Sequence, residues 1–248
     1  MNDDWLLALR EGAALFDIAL SSVQEVQFAH FMQLLLTRNI QLNLTAITEP
    51  REVAIKHFLD SLLVESVWKP THAERVIDIG TGGGIPGIPL AIRHPECTFL
   101  LNDSAQKKVN FLRETTVELG LTNVIPHWGR AESLGRDSDY RAKYHVALVR
   151  AVAHLGVLVE YALPLLRIGG RFIAMKGPGG EAEITDSEHA LQTIGGAVQE
   201  VRRLTLPVAG ERLLIVVQKT HHTPTLYPRN GGAMKKKPLF LDSRRTSQ

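Results

Sequence analysis

Apolar side chains in the first 70 residues recur at helical spacing. Trp5, Leu9 and Ala13 follow one another at four-residue steps, which places them on one face of a helix. A second stretch repeats the pattern at Val26, Phe28, Phe31, Met32 and Leu35. A third helix is expected to begin near Pro50, which a first helical turn tolerates, with Thr48 as its N-cap. The chain therefore opens with a helical region.

From residue 75 onward, short β-rich runs alternate with helical stretches such as 105–119 and 155–166. The β-rich runs are 76–79, 98–102, 124–127, 146–149 and 171–175. This alternation predicts a parallel sheet with helices on both faces. Two further runs, 200–206 and 212–219, are too close for a helical crossover, so they should form an antiparallel hairpin at one edge. The expected fold is α/β, with a mostly parallel seven-stranded sheet.

Charge is distributed unevenly, and we expect three parts: a helical region 1–70, a main domain 71–220 and a basic tail 221–248. The first part has five basic and nine acidic residues, whereas from Lys219 to the end seven basic residues face only Asp242. A basic tail attracts polyanions such as nucleic acid, although such tails also act as solubilising ends. The tail is rich in Pro, Gly and Lys and is expected to pack poorly.

Composition narrows the class of protein. Hydrophobic residues make up 44% and charged residues 22% of the chain, which is typical of a soluble globular protein. The longest aliphatic run, 213–217, is far shorter than the roughly 18 residues of a membrane span, and the acidic start does not resemble a signal peptide. We expect a cytoplasmic protein without a membrane partner. The lone Cys97 excludes internal disulfides and is expected in the core, and no histidine pair has metal-ligand spacing, so no metal is assigned.

A glycine loop follows the first predicted strand. Gly82, Gly84 and Gly87 satisfy the spacing of a dinucleotide-binding loop. However, Asp78 two residues before Gly80 completes Asp-x-Gly-x-Gly-x-Gly, the loop of methyltransferases that use S-adenosylmethionine (SAM). Asp103 ends the next strand, 21 residues beyond Gly82, where a carboxylate can accept hydrogen bonds from ribose hydroxyls. The balance favours SAM, with Gly82 among the residues that let a ligand approach the backbone.

This chain lacks residues that several classes of methyltransferase need, and their absence limits which atom could accept the methyl group. Amine methylation commonly uses an Asn/Asp-Pro-Pro-aromatic corner after the fourth strand, where this chain has 150–153, Arg-Ala-Val-Ala. Cytosine C5 methylation needs a reactive cysteine, and Cys97 is expected on the side of the sheet away from the ligand. Ribose methylation usually uses an acid where Arg150 stands. A ring nitrogen such as guanine N7 needs none of these groups, because its lone pair attacks directly. For such an acceptor no general base is expected, and catalysis reduces to positioning.

Short motifs along most of the chain give a specific resemblance. They are Asn43-Leu44-Thr45-Ala46-Ile47, His57-Phe58-Leu59-Asp60-Ser61-Leu62, the loop 80–89, Asp103-Ser104, Lys107-Lys108, Gly129-Arg130-Ala131-Glu132, Arg150-Ala151, Lys176-Gly177, Glu211-Arg212, Tyr227-Pro228-Arg229 and Lys237-Pro238-Leu239. With these motifs the chain resembles the glucose-inhibited division protein B family (RsmG), the small-subunit rRNA guanine-N7 methyltransferases. The resemblance implies a class I SAM-dependent methyltransferase fold of the Rossmann-like type. It also implies SAM as cofactor, and 16S rRNA or the small ribosomal subunit as partner, with methylation of guanosine 527 in the 530 loop.

Residue roles follow from the same resemblance. The residues implied in the SAM site are Gly80 and Ile85 along the loop, Asp103, Ser104 and Ala105 at the ribose and adenine, Ala131 and Glu132 at the adenine edge, and Arg150 on the methionine side. The chain departs from the family pattern at Gly83, Leu213, Gly231 and Met234. The last two positions put the rigidity of the tail in doubt more than the reaction.

Four charged or polar side chains have two interpretations each. His57 and Asp60 lie three residues apart on one helical face, where they either face the cofactor or brace the N-terminal helices against the sheet. Lys176 and Arg212 either bind RNA phosphate or are solvated charges. Two rival functions also remain: an NAD-dependent oxidoreductase, and an RNA-binding protein with an idle cofactor fold. The oligomeric state is open, with a monomer as the expectation.

Overall fold

The computed structural model describes residues 4–150 and 153–240. The α-helices are α1 (Asp4–Ala14), α2 (Ser22–Leu42), α3 (Pro50–Val53), α4 (Asp60–Leu62), α5 (Gly87–Arg93), α6 (Gln106–Glu118), α7 (Ala131–Leu134), α8 (Leu155–Ala162), α9 (Ala182–Asp186), α10 (Glu188–Ile194) and α11 (Gly231–Lys236). A π-helical segment (Ala54–Leu59) joins α3 to α4, and a 3₁₀ turn (Leu63–Ser66) follows, so that 50–66 is one helical run. Two further 3₁₀ turns are Leu163–Leu165 and Pro178–Gly180.

Seven strands form one sheet. They are β1 (Arg75–Ile79), β2 (Thr98–Asp103), β3 (Val124–Trp128), β4 (Tyr144–Arg150), β5 (Leu166–Lys176), β6 (Gly196–Leu206) and β7 (Gly210–Lys219). The strand order is β3-β2-β1-β4-β5-β7-β6, with β1 to β5 parallel and β7 antiparallel to both of its neighbours. The predicted mostly parallel sheet and its edge hairpin are confirmed.

Alternate residues of the strands enter two separate cores, because successive side chains point to opposite faces of a sheet. In β4, Val146 and Leu148 pack with the N-terminal helices, α5 and α6, whereas Ala147 and Val149 pack with α8 and α10. Burial on both faces explains why these strands read as continuous apolar runs. Cys97, just before β2, is fully buried in the first of these cores, as expected.

Two helix boundaries differ from the expectations. The N-cap of α3 is Glu49 rather than Thr48, because the Glu49 carboxylate accepts the backbone N–H groups of Arg51 at 3.0 Å and Glu52 at 2.7 Å. The helix expected to extend to Leu166 ends earlier, at Ala162. Pro164 lacks the N–H that a further helical turn requires, and Leu166 already begins β5.

The expectation of a poorly packed tail is wrong for the described residues 221–240. Arg141 donates hydrogen bonds to the carbonyls of Tyr227 (2.7 Å) and Thr223 (2.8 Å). Met234 is buried, and the ring of Phe240 stacks on His154 with centroids 3.8 Å apart. Residues 241–248, which contain Asp242 and two of the tail's basic residues, lie outside the described residues.

One buried ion pair anchors this segment to the sheet domain. The Glu160 carboxylate on α8 accepts the backbone N–H of Arg229 (2.8 Å) and its Nε (2.8 Å) and Nη2 (2.7 Å) donors. Glu160 is only 1% exposed. The arginine therefore neutralises a carboxylate that has almost no access to water.

No helix in 4–150 or 153–240 is long and apolar enough to cross a membrane.

We expect Arg229→Ala to lower the free energy of unfolding by about 3 kcal/mol, because it leaves the Glu160 carboxylate buried and unpaired. Denaturant unfolding measures the loss. Adding Glu160→Gln should recover much of it, since the amide carries no charge. If the free energy of unfolding of Arg229→Ala lies within about 0.5 kcal/mol of the wild-type value, the pair does not anchor the tail.

Candidate functional site

A cavity of about 230 Å³ opens where β1 and β4 lie side by side. The strand order reverses at this point, which is where open α/β sheets bind ligands, beyond the carboxyl ends of their strands. The cavity is lined by Ile79, Gly80, Asn102, Ser104, Gly129, Arg130, Ala131, Glu132, Val149, Ala153, Leu158 and Tyr161. Its walls thus come from the ends of four parallel strands and from α8.

The glycine loop adopts backbone conformations that side chains disfavour. Gly80, Gly82 and Gly84 have φ values of 70°, 60° and 88°. A Cβ at Gly82 would approach only the Lys108 ammonium, at 4.0 Å, so the loop backbone is open to a ligand there. The loop closes over Asp78, whose Oδ2 accepts hydrogen bonds from the Thr81 hydroxyl (2.6 Å) and the Gly87 N–H (2.9 Å).

Asp78 is fully buried at the end of β1, and among the described residues its Oδ1 has no hydrogen-bond partner. Burial raises the pKa of Asp78 to about 7, against the opposing hydrogen bonds from Thr81 and Gly87. The carboxyl under the loop is therefore partly protonated at neutral pH.

Asp103 connects the glycine loop to the end of β2. Its Oδ2 accepts the Gly82 N–H at 3.0 Å, and its Oδ1 accepts the Ala105 N–H at 2.8 Å. Each carboxylate oxygen has a second lone pair, so two acceptor positions remain for a ligand. The residue predicted to bind a ribose thus also holds the loop in place.

The nine predicted cofactor residues are divided between the wall of the cavity and its supports. Those in the wall are Gly80, Ser104, Ala131 and Glu132. Gly82, Asp103 and Ala105 form the hydrogen-bonded group beside it. Ile85 is 8% exposed and packs in the core under the N-terminal helices. Arg150 is the last residue of β4. Ala151 and Val152, in the corner that follows, lie outside the described residues.

Eight of the twelve wall residues were not among the predicted cofactor residues, and three of them, Asn102, Leu158 and Tyr161, show why. Asn102 is 2% exposed and donates from Nδ2 to the Gly129 carbonyl at 2.9 Å, which ties the end of β2 to the segment after β3. A polar residue at the end of a buried strand was a signal that could have identified it. Leu158 and Tyr161 reach the cavity from α8, and no local motif marks them.

Arg150, His57 and Asp60 form a cluster on the face of the sheet that carries the N-terminal helices. Arg150 Nη1 donates to Asp60 Oδ2 at 3.0 Å and to the Lys56 carbonyl at 3.0 Å, and Nη2 contacts His57 Nδ1 at 2.8 Å. Arg212 Nε donates to the other Asp60 oxygen at 2.8 Å. The bracing interpretation of His57 and Asp60 is thereby confirmed. Burial, and after it the charge of Arg150, lowers the pKa of His57 to about 4.

Lys176 and Arg212 lie on opposite faces of the sheet. Lys176 is 8% exposed, and its ammonium donates to the Ala153 carbonyl at 2.6 Å and to Glu183 on α9 at 2.7 Å. Arg212 is held by Asp60 on the other face. Neither side chain is a solvated charge, and their predicted binding of RNA phosphate stays a prediction. The described residues contain no cluster of three His, Cys, Asp or Glu able to hold a metal.

Comparison with known proteins identifies the family. Residues 24–214 match the family model of rRNA small subunit methyltransferase G. The chain belongs to this family. Its similarity to individual members covers almost the full length of both chains. The ribosomal RNA small subunit methyltransferase G of Pelotomaculum thermopropionicum is 45% identical over 93% of this chain and 97% of its own. That of Deinococcus radiodurans is 44% identical, over 97% and 95%.

Solved structures of low sequence identity share the fold. A geranyl diphosphate methyltransferase in complex with SAM has a TM-score of 0.51 and 15% identity, over 71% of this chain and 92% of that one. A branched-chain polyamine synthase variant from Thermus thermophilus has a TM-score of 0.54 at 15% identity, over 71% and 57%. Because enzymes with different reactions share this fold, the reaction must be inferred from the family and the site.

We expect Asp78→Asn to change the pH dependence of stability. With a native pKa near 7 and an ordinary unfolded value near 4, the native state binds the extra proton between these values. The free energy of unfolding therefore falls as pH rises through this window and levels off above it. An asparagine does not titrate. The free energy of unfolding of the variant, relative to that of the wild type, should therefore rise by at least about 1 kcal/mol from pH 5 to pH 8.

Denaturant unfolding of both proteins at pH 5, 8 and 9 tests this expectation. The difference should grow between the first two values and stay constant between the last two. A difference that is the same at all three would mean that Asp78 does not titrate in this window.

Proposed function

We propose that this protein transfers a methyl group from SAM to N7 of guanosine 527 in the 530 loop of 16S rRNA. Membership of the rRNA small subunit methyltransferase G family carries the proposal for the reaction class and the rRNA substrate. The cavity at the switch point, with the open glycine loop on one side and Asp103 beside it, supports the binding of SAM there. The base and its position rest on the family resemblance.

We assign the parts of SAM to the cavity and to the residues beside it in the following order. Asp103 offers free acceptor positions for the ribose hydroxyls, and Ala131 and Glu132 form the wall for the adenine. The backbone of Gly80 and Gly82 gives close access to the chain between ribose and methionine. Arg150 provides the positive charge for the methionyl carboxylate. SAM supplies an electrophilic methyl group on a sulfonium centre.

The described part of the chain favours catalysis by positioning. N7 of guanine attacks through a lone pair that carries no proton, so the residues need to bring that atom in line with the methyl group and exclude water. His57, the histidine beside Arg150, has a pKa near 4 and is neutral at physiological pH. Its ring nitrogens are engaged with Arg150 and Thr45.

Basic side chains lie next to the glycine loop and on α11, and they suit an RNA backbone. The Lys108 ammonium lies next to the open face of Gly82. On the other side, α11 begins against the wall: a Cβ at Gly231 would be 3.5 Å from Glu132 Oε1 and 3.7 Å from the Tyr161 hydroxyl. The exposed Lys235, Lys236 and Lys237 follow directly. Phosphate contacts of this kind position RNA without reading its sequence.

We expect Asp103→Ala to weaken SAM binding by roughly ten- to a hundred-fold, because it removes charged hydrogen-bond acceptors from the ribose and frees the Gly82 N–H from its anchor. Isothermal titration calorimetry measures the dissociation constant. Asp139→Ala removes an equal charge from an exposed position away from the cavity and should bind SAM like the wild type. An unchanged dissociation constant for Asp103→Ala would exclude Asp103 from the site.

Between about pH 6.5 and 8.5, we expect the single-turnover methylation rate at saturating RNA to show no pH dependence that comes from a histidine base, because N7 needs no deprotonation. Quench-flow with radiolabelled SAM measures the rate. A step near pH 7 that disappears in Asp78→Asn would report the carboxyl under the glycine loop. A steep rise abolished by replacing one histidine would contradict N7 as the acceptor and indicate an amine or hydroxyl.

A further inference from the structure

Asp60 is a buried carboxylate shared by two arginines from different strands. Its side chain is 8% exposed, and each of its oxygens accepts a guanidinium hydrogen bond, Oδ2 from Arg150 at 3.0 Å and Oδ1 from Arg212 at 2.8 Å. Arg150 ends β4 and Arg212 lies on β7, separated in the sheet by β5. One carboxylate therefore fixes two cations that would otherwise repel each other.

His57 holds Arg150 from a second direction. His57 Nδ1 lies 2.8 Å from Arg150 Nη2, which can only donate, and 3.1 Å from the Lys56 carbonyl, which can only accept. The shorter contact assigns Nδ1 as an acceptor from Arg150, and the Lys56 carbonyl takes its hydrogen bond from Arg150 Nη1 instead. The neutral ring then carries its hydrogen on Nε2, which donates to the Thr45 hydroxyl at 2.6 Å. Thr45 in turn accepts the Ile47 N–H, and its backbone is bound on both sides to Asn39 on α2. The imidazole is thus fixed at both nitrogens.

These contacts determine which edge of the Arg150 guanidinium is left. Lys56 O and Asp60 take both hydrogens of Nη1, and His57 takes one hydrogen of Nη2. The Nε–H and the second Nη2–H have no partner among residues 4–150 and 153–240. Because Lys56 O and His57 Nδ1 lie only 3.1 Å apart, they accept from the Nη1/Nη2 edge of the guanidinium. The remaining Nη2–H is then parallel to Nε–H, and the two form a fork that can bind a carboxylate in a bidentate manner. The Arg150 side chain is 24% exposed, so part of it is open to a ligand.

We propose that Asp60 and His57 are positioning residues that orient the free Nε/Nη2 fork of Arg150 toward the methionyl carboxylate of SAM. This inference rests on the proposed function. Neither residue touches the cofactor: both act through Arg150, and they make the N-terminal helical run 50–66 part of the cofactor site. Asp60 fixes the rotamer of Arg150 through its contact with Nη1, and His57 fixes the plane of the guanidinium through its contact with Nη2.

Comparing SAM with decarboxylated SAM, which lacks only the carboxylate, tests the proposal. Isothermal titration calorimetry on wild type, His57→Leu, His57→Asn and Asp60→Asn gives a dissociation constant for each ligand. Wild type should prefer SAM. His57→Leu should bind SAM at least about tenfold more weakly while its affinity for the decarboxylated ligand changes less than twofold. His57→Asn, whose amide oxygen can replace Nδ1 as acceptor, should restore much of the preference.

Asp60→Asn separates positioning from charge. Removing a negative charge would by itself favour an anionic ligand and increase the preference for SAM, whereas loss of the Arg150 orientation should decrease it. Glu65→Gln is the matched control, because Glu65 is a buried acid of the same helical run that pairs with Arg93 at the last residue of α5. It should affect stability and leave the ligand preference unchanged.

Each contrary outcome has a distinct meaning. Equal weakening of both ligands in His57→Leu and Asp60→Asn would show a purely structural role and overturn the inference, as would unchanged SAM affinity in both. If Asp60→Asn does not fold, the His57 pair decides, since neither variant removes a buried charge at neutral pH. If the wild type binds both ligands equally, Arg150 does not bind the methionyl carboxylate. A wild type that binds neither would refute the proposed function itself.

Discussion

The site depends on how the backbone N–H groups of the glycine loop are satisfied once β1 has ended. Beyond Ile79 the regular pairing of β1 with its neighbouring strands ends, and buried donors without partners are costly. The Asn102 carbonyl accepts from both Gly80 and Thr81, at 2.9 and 3.1 Å, and the carboxylates of Asp103 and Asp78 accept from Gly82 and Gly87. The loop is therefore held by the ends of its own strand and the next one. This arrangement leaves the outer surface of the loop free for a ligand.

The alternation of side chains along β-strands explains how the remaining polar groups are distributed. Arg150 follows Val146 and Leu148 by even steps, and Arg212 precedes Leu214 and Val216 in the same way, so both arginines point to the face that carries the N-terminal helices. Lys176 is adjacent to Met175, whose side chain points to that same face. Lys176 therefore points to the opposite face, where it contacts α9. Each of these cations then pairs with a carboxylate on the helical segment packed against it. The helical run 50–66 is required to neutralise one face, just as α9 is required on the other.

Much of the architecture was predictable because apolar runs, a glycine loop and the short 207–211 connection leave few topologies. The site was predictable in part. Asp103 and Gly80 follow from the spacing of the loop and the next strand, whereas Tyr161 on α8 becomes a neighbour only through tertiary packing. The bracing role of Asp60 required knowledge that β7 lies beside β5, since Arg212 is 152 residues away in sequence. The N-cap at Glu49 and the packed tail were missed for a related reason: local propensity does not reveal a partner such as Glu160.

The packing of the tail changes how its charge can act. A mobile basic tail raises only the local concentration of a polyanion, and its contribution is screened within about 8 Å at physiological salt. Here Arg229 is used in a buried ion pair, so part of the basic charge of the tail stabilises the fold. That pair and Met234 fix α11 against the protein, and Gly231 allows the helix to begin against Glu132 and Tyr161. The lysines that follow therefore stand at a defined distance from the cavity. For the proposed methylation of a guanine ring nitrogen, fixed charges of this kind would contribute orientation as well as attraction.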